Sequence, residues 1–155
     1  MAYNQFDVSN QKWSMSTGAQ TTIGGKAAAN VVVKVLEASF SFDGSTSTAT
    51  PAQCEFDQCT YATNAPGSAN TTSATPAKSD TGRGETIQST WAIKWTSQPT
   101  NITLQWPIAV AQYNGIYHYI HPFVSPFICI GGQGVAVTVN PSASVNFSGK
   151  VHAEE

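Results

Sequence analysis

The sequence predicts an all-β domain, a single antiparallel β-sandwich or jelly roll. Three observations carry this prediction. Apolar residues recur at every second position in several segments, no window keeps a helical period, and Gly, Pro, Asn and Asp interrupt the chain at short intervals. A chain of 155 residues that is 41% hydrophobic has the size of one domain and builds a core without metals or cross-links.

Residues 1–26 are polar and carry Gly18, Gly24 and Gly25. They read as an N-terminal arm, one able to fold on a neighbouring subunit, or as a leading strand ahead of a jelly-roll domain over residues 27–155. Between Val31 and Phe42 the inward set changes phase, from Val31, Val33 and Val35 to Leu36, Ala38, Phe40 and Phe42. One extra residue, a β-bulge near Val35 or Leu36, accounts for the change. Asp43-Gly44-Ser45 ends this strand as a turn. From Ala52 to Gln58, Cys54 and Phe56 alternate with Glu55 and Asp57, the pattern of a half-buried strand. From Asp57 through Thr86 there is no Val, Ile, Leu, Met, Phe or Trp. This Ala-, Thr- and Ser-rich stretch predicts a long loop, 57–86, that is exposed or contacts a partner.

Trp91, Ile93 and Trp95 alternate with polar or small residues, as do Ile102, Leu104, Trp106 and Ile108 after Pro99. The shared phase places the tryptophans between the sheets. Pro107 cannot donate a ladder hydrogen bond, so its strand ends there or lies at a sheet edge. Gly115 to Ile120 and Phe127 to Ile130 are short strands, separated by turns at His121-Pro122 and Ser125-Pro126. Gly131-Gly132-Gln133-Gly134 reads as a hairpin turn. Two adjoining strands then close the chain. Val135, Val137 and Val139 share one face, and after Asn140-Pro141-Ser142 the set Ala143, Val145, Phe147, Gly149, Val151 and Ala153 alternates with polar residues.

Charged residues make up 10% of the chain, against a usual figure of about 25%. Seven Lys and Arg stand against nine Asp and Glu, with no basic cluster, which argues against a nucleic-acid partner. Such low charge gives weak self-repulsion and suits burial in an assembly. No apolar run reaches the length of a membrane span or of a signal-peptide core, so no membrane partner is expected and synthesis in a reducing cytoplasm is. There Cys54, Cys59 and Cys129 are expected as free thiols.

His118 and His121 form an i, i+3 pair that would share a metal ion on a helix, but a strand sends the two rings to opposite faces. The acidic residues are scattered singly, no Gly-x-Ser-x-Gly occurs, and Cys129 sits in an apolar strand. No catalytic, cofactor-binding or metal-ligating residue is assigned. No cofactor is expected, and neither is an enzymatic function. Trp91, Trp95, Trp106, Tyr113, Tyr117 and Tyr119 admit two readings: a stacking surface for a glycan, or core and subunit-interface residues.

The order of several segments carries a resemblance. Leu36-Glu37-Ala38-Ser39-Phe40-Ser41-Phe42-Asp43-Gly44 is followed by small polar residues to Pro51, a Thr-, Ser- and Ala-rich loop, and Thr96-Ser97-Gln98-Pro99-Thr100. A His121-Pro122 corner, Gly134-Val135-Ala136-Val137-Thr138-Val139 and a last strand ending in Glu154-Glu155 complete it. Over residues 30–155 the chain resembles small jelly-roll capsid decoration (cement) proteins of tailed bacteriophages. The resemblance implies a homotrimer on the virion exterior, bound to the lattice of the major capsid protein where its subunits meet and resisting the pressure of packaged DNA. It brings no catalytic residues. The Cys54 and Cys59 pair and the Tyr-rich segment before His121 are not part of the family pattern. Two other functions fit the same pattern of strands: a glycan- or receptor-binding sandwich of a phage tail or fibre, and a jelly-roll shell subunit that itself forms the lattice.

Overall fold

The computed structural model describes residues 3–45, 50–100, 102–121 and 127–155. Among these, the chain runs through β1 (Gln5–Met15), β2 (Gln20–Lys26), β3 (Val32–Phe42), β4 (Ala52–Cys59), β5 (Thr72–Ala74) and β6 (Ala77–Lys78). It continues through β7 (Thr90–Ile93), β8 (Ile102–Val110), β9 (Ile116–Ile120), β10 (Phe127–Ile130), β11 (Gly134–Asn140) and β12 (Val145–Glu154). One sheet has the order β10-β3-β12-β1-β6, with β9 also paired to β3, and the other has the order β5-β7-β2-β11-β4-β8. All pairings are antiparallel. Within them β1-β12-β3-β9 faces β2-β11-β4-β8, the two interlocked Greek keys of a jelly roll.

The chain alternates between the sheets because its longest strands are amphipathic and each buries its apolar face against the opposite layer. Phe6, Val8, Val35, Phe40 and Phe147 from the first sheet meet Ile23, Phe56, Trp91, Val135 and Val137 from the second. Phe6 packs edge-on against Trp91, with ring centroids 5.6 Å apart, and Phe42 meets Phe147 in the same way at 5.7 Å. Val145, Phe147 and Val151 are all buried, and at roughly 1.5–3 kcal/mol each they fix the register of β12.

The phase change in β3 is a bulge at Leu36. Glu37 lies opposite His152 and Val35 opposite Ala153, so Leu36 has no counterpart in β12. Val33 and Val35 before it, and Ala38, Phe40 and Phe42 after it, all face the core. Pro107 lies in β8, which is an edge strand, paired on one side to β4.

The structure revises four expectations. Residues 1–26 take the leading-strand form: Gln5–Lys26 build β1, between β12 and β6, and β2, between β7 and β11. The two closing strands do not share a sheet, since β11 lies in the second and β12 in the first. Residues 131–134 likewise carry the chain from β10 in one sheet to β11 in the other, so this turn closes no hairpin. Jelly-roll wrapping, in which a long amphipathic chain folds over twice, is the reason for both. The loop expected over 57–86 starts only after Cys59, because Asp57 to Cys59 continue the β4 ladder to β11, and it is interrupted by β5, paired to β7, and β6, paired to β1. The turns at Pro122 and at Ser125-Pro126 lie outside the described residues.

Candidate functional site

The edges of the two sheets, β8 and β9, face each other along one side of the sandwich, and aromatic side chains converge in the opening. Strand alternation sets the supply. Phe42 N–H donates to the Gly115 carbonyl and His121 N–H to the Leu36 carbonyl, which fixes β9 against β3. Ile116, His118 and Ile120 then face outward, and Tyr117, Tyr119 and His121 turn inward.

Trp106 from β8 meets Tyr119 edge-on, with centroids 4.0 Å apart and planes at 80°. The His121 ring lies 4.8 Å from Tyr119 and 5.6 Å from Trp106, and Phe56 meets Phe127 at 4.9 Å behind them. Burial among these rings lowers the His121 pKa and favours the neutral imidazole. The space left between the rings is about 10 Å³, room for one water molecule at most. The faces that a sugar ring would stack on are taken up internally: Tyr117 stacks on Phe40 at 6.1 Å and on Tyr119 at 6.4 Å.

The other aromatic candidates go elsewhere. Trp91 lies in the core between the sheets, as its phase predicts, and Tyr113 is exposed on the turn before β9. Trp95 does not lie between the sheets. Lys94 adopts left-handed backbone (φ 57°), which turns the next residue to the opposite side, and Trp95 packs on the outer face of the second sheet.

That outer face is covered by the chain after β4. Tyr61 is buried there and donates from Oη to the Val135 carbonyl at 2.5 Å, while Trp95 Nε1 donates to the Asn64 carbonyl at 2.8 Å. Asn64 Nδ2 donates in turn to the Gln98 carbonyl at 2.8 Å. Beneath this cover Asp57 is fully buried, and neither carboxylate oxygen has a hydrogen-bond partner. Burial raises its pKa to about 7, with the Glu55 charge acting in the same direction and the nearby Thr138 hydroxyl opposing. Alternation in the sequence marks Asp57 as an outward polar residue; only the folding back of Tyr61 and Trp95 buries it.

The cysteines are all free and buried, and desolvation pushes the Cys54 and Cys129 thiols up to about 12. His118 is exposed, with Nε2 3.4 Å from Glu37 Oε2, and faces away from His121. Among the described residues no group of three or more His, Cys, Asp or Glu could hold a metal ion.

Two features of the first sheet's outer face remain. A shallow depression of about 360 Å³ lies over Gly149, bordered by Ser9, Ser39, Ser41 and Ser148. Beside it runs an apolar stripe along the β9 and β10 edge: Ile116 is 79% exposed and Ile120 61%, with Ile128, Ile130 and Val32 also exposed.

Compared with known proteins, the chain matches no family model, no curated protein and no solved structure. The aromatic edge is a packed seam rather than a pocket, the thiols are protonated at neutral pH, and the one strongly perturbed carboxyl is sealed under a loop.

Proposed function

We propose that this chain is a non-enzymatic structural protein of a virion, a capsid decoration protein that binds the outside of a phage head and stabilises contacts between major capsid subunits. The observation that carries the reading is where the large apolar side chains go. Among the described residues most fill the sandwich, its seam and the outer cover, and the exposed Ile and Val side chains form a stripe on one sheet edge, the kind of surface that buries against another protein. Low charge over the whole chain supports the same reading, as does the resemblance of its segment order to that of decoration proteins. Binding only to the assembled lattice stabilises it by mass action, and copies spread over a shell add their weak contacts. No turnover is involved.

The test is co-sedimentation of the purified chain with expanded phage heads, followed by electron microscopy of the pelleted particles. The expected result is saturable binding at one class of lattice position, with heads that resist a higher temperature. No added density on the heads would overturn the proposal.

A further inference from the structure

Sheet edges invite pairing with other chains; among the described residues five strands lie at the edges of this fold, of which β10 spans only four residues and three others are protected. β8 carries Pro107, β5 spans three residues, and β6 spans two and includes Lys78. β9 has no such protection. It holds no Pro and no Lys, Arg, Asp or Glu, its outward side chains are Ile116, His118 and Ile120, and among the described residues no strand pairs with its outer side.

The sequence of β9 is Ile116-Tyr117-His118-Tyr119-Ile120, the same read in either direction. An antiparallel two-fold pairing centred on His118 therefore matches like with like: Ile116 against the partner's Ile120, Tyr117 against the partner's Tyr119, and His118 against its own counterpart. The backbone agrees with that register. Bonds from Phe42 N–H to the Gly115 carbonyl and from His121 N–H to the Leu36 carbonyl make the odd-numbered residues the hydrogen-bonded partners of β3. The N–H and C=O groups of Ile116, His118 and Ile120 consequently point to the open side, and the axis at His118 pairs all three residues at once. A strand bearing charge or a different spacing would forfeit either the apolar matches or the ladder.

We propose that β9 is a self-pairing edge, through which a second copy of this chain extends the β9-β3-β12-β1 sheet across a two-fold axis at His118. The stripe of Ile116 and Ile120 is then continuous with that of the second copy. The pairing closes at two copies, whereas the resemblance to decoration proteins implies three. It does not depend on the capsid reading.

Sedimentation velocity of the full chain over a concentration series tests it, with twice 16.4 kDa expected for the limiting mass. His118→Pro removes an outward donor and leaves the β3 ladder intact, so it is expected to sediment as one copy with its circular dichroism retained. I116E or I120K alone should weaken the pairing roughly tenfold, because each replaces both apolar cross-strand matches of the dimer with an unmatched charge. The double variant I116E/I120K should recover it, because opposite charges then meet at both ends of the paired strands. A wild-type chain that stays at one copy, one that forms three copies, or a double variant no better than the singles would overturn the proposal.

Discussion

Gly24 and Trp95 lie so close on the outer face of the second sheet that a Cβ on Gly24 would come within 2.9 Å of the Trp95 ring. The neighbouring Gly25 stands in the same relation to Trp91 on the inner face, where a Cβ would come within 2.5 Å of the indole. Two adjacent glycines in β2 thus seat two tryptophans on opposite sides of one strand. Gly24→Ala would force apart the Trp95 and Tyr61 cover, at a cost of about 1–3 kcal/mol. Urea denaturation followed by tryptophan fluorescence should report that loss as a lower midpoint with an unchanged slope.

Leu36 has a testable role as the extra residue of β3. Deleting it restores strict alternation and turns either Val33 and Val35 or Ala38, Phe40 and Phe42 away from the core. Exposing Phe40 alone forfeits roughly 3 kcal/mol, and the whole set more than a domain of this size can spare. The deletion variant is expected to lack a cooperative thermal transition, whereas Leu36→Ala keeps one.

Asp57 predicts how stability depends on pH. Its folded pKa is raised to about 7 from 3.8, so the folded state binds the proton more tightly than the unfolded chain does. The stability it contributes is complete below pH 3.8 and is lost as pH rises through 7. Asp57→Asn removes that titration. Urea midpoints measured at about pH 5 and pH 8 should fall with pH in the wild type and differ less in the variant. An equal fall in both would assign the pH dependence to another group.

The thiols should be silent in the native state. With Cys54 and Cys129 pushed up to about 12, roughly one thiol in 10,000 is ionised at pH 8. Titration with a disulfide reagent is expected to label the folded chain slowly and all three cysteines at once after guanidinium is added.

Most strands were legible because alternation is a local property. The phase change at Leu36 and the buried set Val145, Phe147 and Val151 follow from side-chain periodicity alone, and the missing N–H of Pro107 limits its strand to an edge or an end there. The seam was legible only in part. Trp106, Tyr117 and Tyr119 carry the composition of a stacking site, but which of their faces stay free depends on Phe40, Phe56 and Phe127, which arrive from other strands.

By itself, then, the sequence determined an all-β chain, the phase of its strands and the bulge that bends β3. Tertiary structure decided the partners. It sent β11 and β12 to different sheets, drew Gln5–Lys26 into both, turned Trp95 outward through the left-handed Lys94, and buried Asp57. The reason is physical: which face of a strand is apolar is set within a few residues, while what covers that face is set by ladders between residues more than a hundred positions apart, such as Phe6 with Ala153.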